Sequence, residues 1–312
     1  MRREGSPWQG VGVVMLKELS DQLTSARMRV LEWLVVLTAL AALYGALQQI
    51  RETTAEDQFL FLRLFTTARS PLPSLVSFLS FLAPLMAIGL GFDAVNGEYN
   101  RRTMSRILAQ PIYRDALLLG KFLAGLTTLA ISLVALWLIV VGLGLLLLGQ
   151  PPGVEELARS LTFLGATIAY AGVWLSFAML LSIVFRAPAT AALVALGVWL
   201  FFTLIWPVLA PAISEIVFAS SEPETALIGS QALARLAPST LFGEVVVAIL
   251  NPTTRTLGPI YLSQLEGAVR GAPLPLAESL MVAWPQIVGL IAGVLLLFVI
   301  SYVAFQRQEI RA

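Results

Sequence analysis

Gly120-Lys121 is the place in this 312-residue sequence that comes nearest to a nucleotide-binding motif, and it does not complete one. A phosphate-cradling loop needs G-x-x-x-x-G-K and then Ser or Thr. Its glycine backbone wraps the phosphates, its lysine reaches them, and its hydroxyl holds magnesium. Here the upstream glycine position is Asp115 and the residue after the lysine is Phe122. Other chemistries are equally short of parts. The chain has no histidine and no cysteine, which removes the commonest proton shuttle, the commonest metal ligand and every thiolate. Serine and threonine nucleophiles would lack a base, and the apolar runs hold no carboxylate pair. The residues predict a chain with no catalytic site, no metal site and no cofactor of its own.

What remains is a charged island. Residues 92–125 hold Arg101, Arg102, Arg106, Arg114 and Lys121 with Asp93, Glu98 and Asp115, between two apolar runs. Asn96-Gly97 is expected to break the preceding helix. A new helix over 98–110 would place Met104, Ile107 and Leu108 on one face, with Arg101, Arg102 and Arg106 on its shoulders. Pro111 would end it by pushing its predecessor out of the helical region. Such a ridge fits a groove on a cytoplasmic partner. The same charges also serve to fix topology and to meet anionic lipid headgroups, and the residues alone leave both readings open.

These residues need a scaffold, and composition says which kind. Of the chain, 58% is hydrophobic and only 12% charged, with mean hydropathy +0.84 and net charge +1. Soluble domains carry about a quarter charged residues, and this balance implies no nucleic-acid partner. Six apolar runs, at 30–47, 72–92, 122–148, 161–185, 187–210 and 280–305, have membrane-spanning length. None alternates as barrel strands do, so the fold class expected is an all-α membrane protein of six transmembrane helices. Lysine and arginine are dense in residues 1–29, which hold Arg2, Arg3, Lys17, Arg27 and Arg29, and in the island. By the positive-inside rule both clusters, and with six spans both termini, belong in the cytoplasm.

Residues 1–29 are expected to form an amphipathic interfacial helix with Trp8, Val11, Met15, Leu19 and Leu23 in one stripe. The 211–283 connection, chopped by prolines, is expected to hold short helices in or dipping into the outer leaflet. No linker separates folded units, so 30–312 reads as one transmembrane domain, with the charged helix at 96–111. Glu32 and Lys121 are expected at span ends, reaching for headgroups. The absence of ionisable groups near midplane argues against an ion-coupled carrier. Ala187, Ala191 and Ala195, and the Gly289/Gly293 pair, suit close helix packing. Pro84 and Pro207 are expected to kink spans 2 and 5.

Gly97-Glu98, Thr103, Leu108, Pro111-Ile112, Arg114 and Gly120-Lys121 resemble the "GE…T…LL..P…R…GK" pattern of ABC-2 type permeases, the membrane subunits of a class of ATP-binding-cassette exporters. Lys17-Glu18-Leu19 and "LNPTTRTLGP" at 250–259 are similar to segments of the same family, the latter in its nitrous-oxide-maturation and gliding-motility branches. One departure is that Arg102 stands where the family usually has glycine before the threonine. The resemblance implies that the island is a coupling helix docked on a separate cytoplasmic ABC ATPase, which binds the ATP and Mg. Glu98, Arg101, Arg102, Met104, Arg106, Ile107 and Leu108 would make the ATPase contact. It also implies a homodimer in the cell (inner) membrane, surrounded by membrane lipids, with room for an external accessory protein. A membrane scaffold or sensor that recruits a cytoplasmic partner without transport is the alternative.

Overall fold

The computed structural model describes residues 10–52, 59–103, 113–220, 222–257 and 273–308. Among them the chain is all-helical, and six helical stretches are long and apolar enough to cross a membrane. In chain order the helices are α1 (Val11–Thr24), α2 (Ala26–Glu52), α3 (Leu60–Thr66), α4 (Leu75–Gly91), α5 (Asn96–Asn100), α6 (Arg114–Leu148), α7 (Val154–Val184), α8 (Pro188–Leu200), α9 (Trp206–Val217), α10 (Pro223–Ala234), α11 (Pro238–Leu250) and α12 (Leu276–Arg307). Spans 1 to 6 are α2, α4 with α5, α6, α7, α8 with α9, and α12. Span 4 is the central helix, packed against spans 2, 3, 5 and 6.

Spans 1 and 4 outrun their apolar cores, because polar residues at their starts are capped. Span 1 starts at Ala26, where the Ser25 hydroxyl accepts the Met28 N–H at 3.1 Å. Span 4 starts at Val154, and the Glu156 carboxylate reaches back to the Gly153 N–H at 2.8 Å. Acidic residues in a first turn also meet the positive end of the helix dipole. Arg159, expected in a loop, therefore lies inside span 4.

Pro84 removes an N–H from span 2 and leaves the Ser80 carbonyl without its helical partner. The Tyr170 hydroxyl of span 4 donates to that carbonyl at 3.2 Å, and the Tyr170 ring stacks on Phe242 of α11 at 4.6 Å. Span 5 accommodates its proline differently. A π-helical turn, Phe201–Ile205, precedes Trp206-Pro207, and the wider turn makes room for the proline ring. Pro211 lies within α9, so the span runs on to Val217 and the connection begins later than expected. Beyond it, α10 and α11 meet at 106°. α11 enters the bundle and buries Phe242, Val245, Ala248 and Ile249. The small residues on spans 5 and 6 act within this chain: Ala191 and Ala195 are buried, while Gly289 faces Leu241 and Gly293 faces Val173.

Two corrections concern the island. Span 2 breaks at residues 92–95, not at Gly97, which lies inside α5. The Ser182 hydroxyl of span 4 accepts the Val95 and Asn96 N–H groups at 2.9 and 3.1 Å and so starts α5 there. Nor does a helix run from Glu98 onward through Arg102. α5 ends at Asn100, and Arg102 has φ 56°. The remainder of the expected helix, with Met104, Arg106, Ile107 and Leu108, lies outside the described residues.

Candidate functional site

The island ends of the spans converge on one lysine. Lys121, on the first turns of span 3, is only 4% exposed. Its ammonium lies 2.8 Å from Glu18 Oε1 of α1 and 3.1 Å from Glu98 Oε1 of α5. It does not reach for headgroups as expected: α1 lies over it. Gly120 permits that approach, because a Cβ there would stand 2.8 Å from Val14 Cβ and 3.1 Å from the Val11 carbonyl oxygen. A second polar tie follows at Thr128, whose hydroxyl donates to Gln22 Oε1 of α1 at 2.8 Å. α1 thus meets span 3 through Val14, Glu18 and Gln22, none of which belongs to the stripe that the sequence suggested; Val11, Met15, Leu19 and Leu23 of that stripe are half-buried, while Val13 and Leu16 point outward. Trp8 lies outside the described residues.

The two carboxylates are held in turn. Glu18 also takes Lys17 at 3.0 Å, and Lys17 reaches Asp21 at 2.9 Å. Burial lowers the Lys17 pKa, but Asp21 and Glu18 outweigh it and hold the ammonium above the usual lysine range. Glu98 accepts the Thr103 hydroxyl through Oε2. Arg27 pairs with Asp93 at 2.9 Å and lies over the Phe92 ring at 5.0 Å. Between α1 and this segment lies a charged cleft of about 220 Å³, with Arg101 on its lip. Glu32 is a further correction: it accepts the Ser132 hydroxyl of span 3 at 3.1 Å and turns into the bundle.

The turn after α5 explains the departure at Arg102. Thr103 N–H donates to the Glu98 carbonyl and Arg102 N–H to the Tyr99 carbonyl, both at 3.0 Å. This 6→1 and 5→2 pair is the Schellman C-cap, whose residue after the cap adopts the left-handed conformation that glycine favours. Arg102 sits in that position at φ 56°. The turn therefore keeps the glycine geometry without the glycine, and both Arg101 and Arg102 are exposed.

On the other flank of α5, three carboxamides close the end of span 4. Asn96 Nδ2 donates to the Phe185 carbonyl at 3.1 Å and Asn100 Nδ2 to that of Arg186 at 3.3 Å. Gln308 Nε2, after span 6, donates to the Ile183 carbonyl. The Ile183 carbonyl lies in the last turn, where a helix leaves carbonyls unpaired, and Phe185 and Arg186 lie at the C-cap and just past it. Arg114 joins span 3 to span 6 by donating to the Gln308 carbonyl at 3.0 Å and lying over Phe305 at 5.4 Å.

Of the residues singled out in the sequence, Glu98 falls in the Lys121 clasp, and Arg101 and Arg102 flank it. The sequence reading noted Glu18 only within Lys17-Glu18-Leu19, and gave Gln22, Thr128 and Ser182 no part in a site. A lysine within an apolar stretch was the available signal for a buried carboxylate partner. Among the described residues no cluster of metal-ligating side chains occurs.

Six apolar spans whose buried charges are paired across helices define a multi-pass membrane protein. The sequence profile of the ABC-2 family transporter protein matches residues 13–310, and the chain belongs to that family. It is 31% identical over 279 residues to the probable ABC transporter permease protein NosY of Pseudomonas aeruginosa, covering 88% of this chain and 89% of that one. It is 30% identical over 209 residues to the probable ABC transporter permease protein NosY of Stutzerimonas stutzeri, covering 67% and 72%. Such permeases are membrane subunits and not enzymes; the ATPase of the transporter is a separate subunit.

Proposed function

We propose that this chain is the permease of an ABC exporter in the cell (inner) membrane, driven by a cytoplasmic ATPase that docks on residues 98–108 and on α1. Both termini face the cytoplasm, two copies form the pathway, and the partner ATPase binds the ATP and Mg. Family membership supplies the separate ATPase; the Lys121 clasp supports the place where its motion enters. One buried ammonium holds α1 and α5 to span 3, and Ser182 holds α5 to span 4. A displacement of the segment after α5 is thereby delivered to two spans and to α1 together. Glu98, Arg101 and Arg102 supply polar contacts to the ATPase, as does Arg106, and Met104, Ile107 and Leu108 fill its groove.

Two experiments test this reading. The chain has no cysteine, so Arg101→Cys gives a unique thiol. An impermeant maleimide should label it only after cells are opened, and labelling in intact cells would overturn the proposed sidedness. Met104→Asp and Ile107→Asp should abolish co-purification of the ATPase encoded with this permease, while the spans stay folded in detergent. Retention of the ATPase with undiminished stimulated hydrolysis would remove residues 98–108 from the interface.

A further inference from the structure

The segment proposed to dock on the ATPase leaves the described chain at Thr103 and returns at Tyr113. Its two feet are therefore α5 and the first turn of span 3. Each foot carries buried polar atoms with no hydrogen-bond partner among the described residues: Asn96 Oδ1 and the Tyr99 hydroxyl on α5, and Arg114 Nε on span 3. The three meet at one corner. Asn96 and Tyr99 stand three residues apart and so share a face of their helix. Tyr99 and Gln308 border the same cavity of about 730 Å³ at the island ends of spans 2, 4 and 6. Arg114 does not line that cavity. It reaches the corner through Gln308, to whose carbonyl its Nη2 donates at 3.0 Å, and its charge is felt at the Tyr99 hydroxyl.

All three atoms are closed to water, so neither solvent nor a ligand in the cavity satisfies them. A protein group brought up by a movement would. Their chemistry fits together without remainder: Arg114 Nε–H only donates, Asn96 Oδ1 only accepts, and a phenol does both. Two hydrogen bonds in series would satisfy every one of them. Buried groups left unmet raise the energy of the arrangement that leaves them so, and the cavity beside Tyr99 gives its ring room to turn.

We propose that the permease has a second conformation, in which the start of span 3 moves against α5. There Arg114 Nε donates to the Tyr99 hydroxyl, which donates in turn to Asn96 Oδ1. The docked ATPase drives this change by drawing the two feet of its segment together, so the inference rests on the docking reading. Lys121 ties the same two elements through Glu98, two turns further along span 3. The clasp is then the pivot, and Arg114 the moving end. Tyr99 is a positioning residue, idle in the present conformation and locking α5 to span 3 in the second.

Tyr99→Phe separates such a switch from a structural contact. A hydroxyl that makes no bond at rest is removed without loss, so the full-length permease alone in detergent should keep its unfolding midpoint or raise it. Assembled with its ATPase in lipid nanodiscs, the variant should retain the ATPase yet lose about tenfold in permease-stimulated hydrolysis, within the range of coupling between sites. Arg114→Lys keeps the charge, removes Nε and should lose a similar factor or more. The double variant should lose no more than Arg114→Lys does, because both act through one bond. A lower midpoint for Tyr99→Phe would mean that the hydroxyl is already engaged at rest, and loss of the ATPase would make it a docking contact. Undiminished hydrolysis, or losses that multiply in the double variant, would leave it no part in coupling. Each of these results would overturn the proposal. Failure of the docking reading shows elsewhere, as an ATPase retained by Met104→Asp, and leaves the Tyr99→Phe comparison standing.

Discussion

Arg159 at the far end and Lys121 at the island end are both cations buried in the bundle, yet they are held in opposite ways. Arg159 has no exposure at all. Its guanidinium donates to the backbone carbonyls of Ile249 and Leu274, to the Ser279 hydroxyl, and to Glu155 one turn earlier in its own helix. The neighbouring Glu156 takes the Phe61 N–H at 2.8 Å and so fixes α3. A guanidinium fastened to carbonyls of α11 and of the lead into span 6 has one arrangement, set by backbone. Lys121 instead meets two carboxylate side chains from separate elements, beside an open charged cleft. Side chains can exchange partners where carbonyls cannot. The far end is bolted, and the island end is latched.

Breaking the bolt should have the largest effect. Arg159→Met leaves the Ile249 and Leu274 carbonyls and the Ser279 hydroxyl without their donor, at about 1–3 kcal/mol for each buried group left unmet and about 3–5 kcal/mol together, while Glu155 is 43% exposed and can hydrate. Thermal unfolding in detergent should show a lower midpoint and little folded protein, and a midpoint within a degree or two of wild type would show that the node carries no load. Lys121→Met should cost less, about 2–3 kcal/mol, because Glu18 keeps Lys17 and Glu98 keeps the Thr103 hydroxyl. Its unfolding midpoint should fall between that variant and wild type. A loss equal to that of Arg159→Met would erase the distinction between the two ends.

The smallest effect should have the opposite sign. Arg102→Gly places at φ 56° the residue that adopts it without strain, and relief of left-handed backbone is worth about 1 kcal/mol. Part of that gain is offset by the greater freedom glycine has when unfolded. The midpoint should rise slightly or hold. A clear fall would mean that the arginine side chain makes contacts that outweigh its backbone cost.

Much of this architecture was legible in the sequence, for reasons that also explain what was not. Apolar runs long enough to cross a membrane announce themselves, so the six spans and the all-helical class were readable. Their ends were not, because Glu155, Glu156 and Arg159 read as loop residues until the capping of span 4 and the carbonyls around Arg159 are seen. Pro84 was readable as a disturbance in span 2, but its remedy, the Tyr170 hydroxyl, lies 90 residues in sequence from the Ser80 carbonyl it serves. Lys121 shows the same limit. Its two partners stand 103 and 23 residues off, and only packing of α1 over Gly120 brings the first into reach. Gly97 misled because glycine usually ends helices, whereas here Ser182 starts one just before it.

Stimulated ATP hydrolysis by the assembled transporter in lipid nanodiscs tests most directly whether the latch transmits force. Lys121→Met and the wild-type permease would each be assembled with the same ATPase at equal stoichiometry. If the clasp carries motion from the docked segment into span 3, the variant retains its ATPase but loses about tenfold in permease-stimulated hydrolysis, about 1.4 kcal/mol of coupling. A fully assembled Lys121→Met complex that hydrolyses ATP at the wild-type stimulated rate would contradict the account.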